Sequence, residues 1–222
     1  MHPKILVEIE LKILSVEPLA IPEVLVVRFG RFSDERGYFS EPWRAADFDG
    51  ASGLEALKGV RFVQANESFS KKGVVRGLHF QWDPPQGKLV RVLRGRMIDL
   101  AVDIRKGSPT LGKVVGWDMA RRDGDAEGEW IWLPPGFAHG FASLEDTTIE
   151  YFCTASWNPG GEGGITPLSD GLDWSLCAPS VAGTVRRALA GKPILSEKDR
   201  RAATLSSWLA DARSDRFRWE AH

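Results

Sequence analysis

Histidine is scarce in this chain, and its placement is informative. His2 and His222 sit at the ends, which leaves His79 and His139 as the internal imidazoles. His79 lies in Gly73-Val-Val-Arg-Gly-Leu-His-Phe-Gln81, with Arg76 before it, Gln81 beside it and Lys88 further on. An imidazole titrates near neutrality, at about 6.5, so it can take a proton and return it. Cationic and hydrogen-bonding neighbours can hold an oxyanion, such as the enolate formed when a carbon next to a carbonyl is deprotonated. Arg and Lys also suit a diphosphate. Removing a proton from one face and returning it to the other inverts a stereocentre, and the second step needs an acid across the ring. The nearest phenol is Tyr151, downstream of His139; the other tyrosine is Tyr38.

Strands must carry these groups. Short β-rich runs recur at Val24–Phe29, Val60–Val63, Leu89–Leu93, Met97–Ile104, Val114–Met119, Trp130–Leu133 and Thr148–Thr154. Turn signals such as Asp83-Pro-Pro-Gln-Gly87, Lys106-Gly-Ser-Pro109 and Asn158-Pro-Gly-Gly161 separate them. The pattern predicts an all-β sandwich or barrel. Alternate residues on a strand share a face, so His79 and Gln81 are expected to point into the barrel together. Helical spacing is clear near the C-terminus, where Ser196 caps a predicted helix with Leu205, Trp208, Leu209 and Ala212 facing inward. A shorter helix is expected over Ala45–Leu57, weakened by Gly50 and Gly53. With no repeat or linker, the expectation is one domain over residues 1–222, with a core at about 20–178 and a helical extension at about 195–212.

Bulk properties exclude several classes. The 29 basic and 30 acidic residues nearly cancel, so no global field recruits nucleic acid or a membrane. Cys153 and Cys177 make neither a CxxC pair nor a disulfide framework, which points to a reducing, cytoplasmic setting. Residues 5–13 alternate apolar and polar, Ile5, Val7, Ile9, Leu11 and Ile13 against Glu8, Glu10 and Lys12, which predicts a half-buried strand, not a leader. No run approaches the ~18 apolar residues of a membrane span.

The segment from Gly128 through Pro134-Pro-Gly-Phe-Ala-His139 resembles the second motif of the cupin jelly roll, and Gly73 through His79 resembles the first. A metal cupin uses His-x-His followed by a carboxylate, whereas this chain has Gln81 and Lys88 at those places. A lysine opposes a cation electrostatically, so the expectation is a cupin barrel without metal.

Six strings, in order, then resemble the dTDP-4-dehydrorhamnose 3,5-epimerase family: Asp34-Glu-Arg-Gly-Tyr-Phe39 with Glu41; Gln64-Ala-Asn-Glu-Ser68; Gly73 to Gln81; Gln86-Gly-Lys-Leu-Val-Arg91; Val102-Asp-Ile-Arg105 with Ser108-Pro-Thr110; and Pro135-Gly-Phe-Ala-His-Gly-Phe141. The likeness runs from Val24 to Trp174 and continues faintly into Leu195-Ser-Glu-Lys-Asp199. It implies a homodimeric jelly roll that works on a dTDP-linked 4-keto-6-deoxy sugar without cofactor. His79 would be the base, Tyr151 the acid on the far face, and Lys88 the lysine near the C4 oxygen. Arg76, His139, Gln64, Asn66 and Gln81 would line the substrate. Arg36, Phe39 and Glu41 would belong to the nucleotide-side segment that one subunit lends to the other.

This chain departs from the family in two places. Trp157 stands where the family has a second tyrosine; it can stack but has no phenolic proton. The family's Asp-Pro before a Trp-Pro is missing from Ile165-Thr-Pro-Leu-Ser-Asp-Gly-Leu-Asp-Trp174. Asp170, with Asp173 as second candidate, is therefore expected to orient His79. Both changes bear on whether C3 and C5 are both epimerised. Other functions remain open at this point: a ketoisomerase, a non-catalytic nucleotide-sugar binder, or a metal-dependent oxygenase.

Blander roles compete for each residue. A lone strand histidine is more often structural, Lys88 and Arg91 could be solvated charges, and Tyr151 could be core. Most of the tryptophans are expected in the core, and Asn158-Pro-Gly-Gly-Glu-Gly-Gly164 reads as a turn, since no Gly-Lys-Ser/Thr follows.

Overall fold

The computed structural model describes residues 13–220. The expected N-terminal strand lies outside them except for its last residue, Ile13. The strands are β1 (Ile13–Pro18), β2 (Leu25–Gly30), β3 (Phe32–Asp34), β4 (Gly37–Phe39), β5 (Gln64–Ser70), β6 (Val75–Gln81), β7 (Lys88–Asp103), β8 (Val114–Arg121), β9 (Glu127–Leu133), β10 (Phe137–Ser143), β11 (Thr147–Cys153) and β12 (Glu162–Gly164). The α-helices are α1 (Ala45–Gly50), α2 (Pro179–Ala190), α3 (Glu197–Arg200) and α4 (Leu205–Ala210).

All pairing between these strands is antiparallel, and β7 organises it. Its first half pairs with β9 and β11, and its second half with β10 and β8. One side of the fold thus runs β1-β2-β9-β7-β11-β5, and the other β8-β7-β10-β6-β12. Two strands were expected where β7 runs unbroken. Gly95 explains the difference: its φ of +96° redirects the chain without ending the strand, and a Cβ there would come within 2.3 Å of the Asp146 carbonyl oxygen. The strand expected at Val60–Val63 does not form. Val60 and Phe62 instead pack under the outer aromatic cluster, and pairing starts at Gln64.

Strand alternation sorts residues into three apolar clusters. Val90, Val92, Met97, Ala101, Val115, Met119, Ile131, Phe137 and Phe141 meet between the two sides of the barrel. Leu78, Phe80, Ile98, Leu100 and Val102 face outward and are covered by Val185, Leu205, Trp208 and Phe217 of the C-terminal segment. Leu25, Val27, Phe29, Leu89, Trp130 and Trp132 form the third cluster, under Phe48, Leu54 and Leu57. Each buried large side chain contributes roughly 1.5–3 kcal/mol through the hydrophobic effect. The central strands are consequently buried on both faces, and an inward polar residue on them is a deliberate exception.

The helices differ most from expectation. The run over Ala45–Leu57 is broken: α1 ends at Gly50, Gly53 takes φ +85°, and a 3-10 turn covers Glu55–Leu57. Ser196 does cap a helix, its Oγ accepting from the Asp199 amide at 3.0 Å, but α3 is one turn long. The chain then extends so that Ala203 O accepts from Thr166 N at 2.9 Å, and Thr204 caps the separate α4. Pro179–Ala190 was not anticipated as helix; it opens on a proline, as first-turn geometry allows.

Candidate active site

The inward residues near one end of the barrel enclose a cavity of about 370 Å³. Lining it are His79 and Gln81 from β6, Lys88 from β7, Tyr151 and Cys153 from β11, and Gln64 and Asn66 from β5, with Gln86, Trp157 and Glu162 also at its walls. Register explains the convergence: Tyr151 pairs with Asn66 on one side and Val90 on the other. Cys153 pairs with both Gln64 and Lys88. His79 faces inward because Leu78 and Phe80 occupy the outer cluster.

His79 Nε2 lies 2.6 Å from Asp199 Oδ1. This corrects the expected partner. Asp170 is exposed on its turn, and Asp173 is engaged by Lys113 Nζ at 2.9 Å. Asp199 is only 3% exposed, and its second oxygen accepts weakly from the Gly77 amide at 3.4 Å. Burial works to raise its pKa, but the hydrogen bonds and charge of His79, with help from Ser196 and Gly77, hold it below the usual carboxylate range. A negative carboxylate fixes the ring and leaves its Nδ1 without a partner among the described residues.

Lys88 has no hydrogen-bond or ion-pair partner among the described residues. Enclosure by protein pushes its pKa down, and the acidic groups of Cys153, Glu162 and Asp99 oppose that shift. Burial raises the phenol of Tyr151; Arg76 opposes it and Glu162 adds to it. Tyr151 therefore keeps its proton at neutral pH, as an acid must. A carboxylate-bound imidazole that can accept a proton, a lone ammonium and a protonated phenol around one cavity can deprotonate a carbon, hold an oxyanion and return a proton.

Comparison with known proteins identifies the chemistry. Residues 18–207 match the family model for dTDP-4-dehydrorhamnose 3,5-epimerase. The chain belongs to that family. It is an isomerase that epimerises a dTDP-4-keto-6-deoxy sugar, on an all-β jelly-roll fold with short helices. It is 46% identical over 173 residues to the dTDP-4-dehydrorhamnose 3,5-epimerase of Methanothermobacter thermautotrophicus, covering 76% of this chain and 82% of the relative. It is similar to the crystal structure of the Legionella pneumophila epimerase RmlC in complex with dTDP-4-keto-L-rhamnose, with TM-score 0.74, 38% identity, and 93% and 99% of the two chains covered. It is also 34% identical over 197 residues to the dTDP-4-dehydrorhamnose 3-epimerase of Streptomyces niveus, covering 87% and 84%.

The other predicted residues of the epimerase divide by location. Gln64 Nε2 donates to Asn66 Oδ1 at 3.0 Å, while Gln64 Oε1 accepts from the Trp157 amide at 2.8 Å. Gln81 lines the cavity, but its polar atoms hold the following loops: Nε2 donates to Pro84 O and Ser156 O, and Oε1 accepts from Asn158 N. Arg76 lies outside the cavity wall and donates to Ser70 Oγ and Phe69 O. Trp157 is 60% exposed at the rim, its indole N–H donating to Glu162 Oε2 at 2.8 Å. Arg36, Phe39 and Glu41 do not reach this cavity; Arg36 pairs with Asp34 and Glu41 with Arg44.

Sequence reading missed Asp199, Glu162, Lys198 and Cys153. Lys198 Nζ donates to Glu162 Oε1 at 2.6 Å, so α3 delivers a cation to the cavity wall as well as the carboxylate behind His79. The signal was present in Ser196-Glu-Lys-Asp199, where a cap fixes the residue three positions on. The Gly-rich stretch expected as a turn ends in β12, which places Glu162 opposite Gln81. Among the described residues, no group of three His, Cys, Asp or Glu side chains is arranged to hold a metal ion.

Proposed function

We propose that His79, oriented by Asp199, removes the proton from a carbon flanking the C4 ketone of a dTDP-4-keto-6-deoxyhexose. The C–H electron pair becomes the enolate and the charge moves to the C4 oxygen, beside which Lys88 stands. Tyr151 then protonates the carbon from the opposite face, and the two side chains exchange protons with water to reset. The observation that carries this reading is the shared cavity: a carboxylate-bound imidazole, an unpaired lysine and a buried phenol line one volume.

The 3,5-epimerase relatives favour inversion at both C3 and C5, and the likeness to a 3-epimerase makes inversion at C3 alone the second reading. Incubation with dTDP-4-keto-6-deoxyglucose in deuterium oxide separates them by NMR. Label at both carbons is expected; label at C3 alone establishes the mono-epimerase, and no label sinks the assignment.

The proposal includes a homodimer. Arg36, Phe39 and Glu41 are not among the residues that line their own cavity, and Phe39 is 53% exposed, as suits a segment that completes a neighbour's site. The unpaired buried thiols Cys153 and Cys177 fit a reducing cytoplasm.

A further inference from the structure

The barrel interior holds a second imidazole–carboxylate pair that the proposed reaction has not used. His139 stands directly across from His79 in the β10–β6 ladder, so both side chains leave their strands on one face. Phe137 and Phe141, two positions either side, belong to the inner core, whereas Ala138 belongs to the outer cluster. That alternation points His139 inward. Its Nε2 lies 2.7 Å from Asp99 Oδ2.

Asp99 is an expensive residue in this position. It comes from the second half of β7, between the core residues Met97 and Ala101, and is 0% exposed. Its other oxygen, Oδ1, is buried without a partner among the described residues. Burial pushes the carboxyl up, and only His139, Lys88 and a backbone bond oppose that. A position that served packing alone would be better filled by an apolar side chain. His139 keeps 8% of its surface accessible, and its Nδ1 has no partner among the described residues.

We propose that Asp99 is a positioning residue for the epimerisation: by accepting the Nε2–H of His139 it commits that nitrogen and leaves unprotonated Nδ1 as the one offered to the sugar, where it accepts a hydrogen bond from a hydroxyl. The inference rests on the cavity being the sugar site and on the sugar reaching past the lining residue His79 to His139, its strand neighbour, which is not itself in the cavity wall. A neutral imidazole has one donor and one acceptor nitrogen, and the partner of one nitrogen decides the role of the other. The two strand-paired histidines then work alike, each with Nε2 spent on a carboxylate and Nδ1 free.

The test uses the intact enzyme, labelled with 15N-histidine, with the His139 signals identified by their loss in His139→Ala. Wild type is expected to carry the proton on Nε2. Asp99→Asn keeps the shape but can turn its amide N–H toward Nε2, which moves the ring proton to Nδ1. That variant is expected to lose about 10- to 100-fold in kcat/KM for the keto sugar, the size of one buried hydrogen bond left unmade. Its affinity for dTDP, which lacks the sugar, should stay within about twofold, and adding Asp99→Asn to His139→Ala should cost nothing further. A wild-type proton on Nδ1 overturns the proposal. So does an Asp99→Asn enzyme with a lowered Tm and unchanged kinetics, which would make Asp99 a packing residue. If that variant fails to fold, the wild-type spectrum decides alone. Failure of the epimerase assignment would show separately, as absence of deuterium exchange in the wild type.

Discussion

At the scale of single residues, Lys88 shows how the site opposes the fold. An ammonium enclosed by protein without an ion partner has its pKa lowered by burial, so its protonated form disfavours folding. The sign is fixed by that direction: the penalty is complete below the folded pKa and fades as pH rises towards the unfolded value of about 10.4. Lys88→Met is therefore expected to stabilise the protein at pH 7 by about 1–3 kcal/mol while removing nearly all turnover. Thermal denaturation checks this, with a gain of roughly 2–4 °C per kcal/mol that shrinks in alkaline buffer. His79, Lys88 and Tyr151 were legible in the sequence because strand period and family motifs both constrain them. Asp199 was not, since it lies 120 residues from His79 and meets it only when the C-terminal segment docks. Gln81 lines the cavity as expected, and its amide is in addition held by loop backbones, which spacing cannot reveal.

At the scale of elements, one turn of helix does unusual duty. α3 is too short to be stable alone and is held by its Ser196 cap and by Lys198 on Glu162. Ser196→Ala is expected to cost about 1 kcal/mol and to lower kcat with little change in KM, because the cap holds Asp199 and Asp199 holds the base. Steady-state kinetics beside a melting curve would show both, and an unchanged kcat would separate the cap from the catalytic geometry. The apolar runs of β2, β7, β8, β9 and β11 were legible as strands, but the polar alternation of β5 and the small residues of β10 gave no such run, and the helices were not legible either. Val181, Val185 and Leu189 have helical spacing, and the glycine-punctuated stretch before them masked it. Not every family string is a site string. Asp103, from Val102-Asp-Ile-Arg105, accepts from Arg105, Ser108 and Thr110 and so braces the turn after β7.

At the scale of the whole molecule, the residues expected at the nucleotide side are the ones this chain does not bring to its own cavity. The β3–β4 hairpin is exposed, with Phe32, Tyr38 and Phe39 each about half accessible, and Tyr38 is stacked under Arg31. If the hairpin completes a partner's site, Arg36→Ala and His79→Ala enzymes, each nearly inactive, should complement when co-expressed. Mixed dimers would hold one intact site, giving roughly a quarter of wild-type activity. Absence of recovery in a protein that sizes as a dimer would place Arg36 outside the shared site.

The division of labour between His79 and Tyr151 is the central claim, and Tyr151→Phe in deuterium oxide tests it most directly. With the base intact and the opposing acid gone, deuterium should still enter beside the ketone while the configuration there is retained. Inversion at the wild-type rate in that variant, or loss of all exchange, would contradict the account.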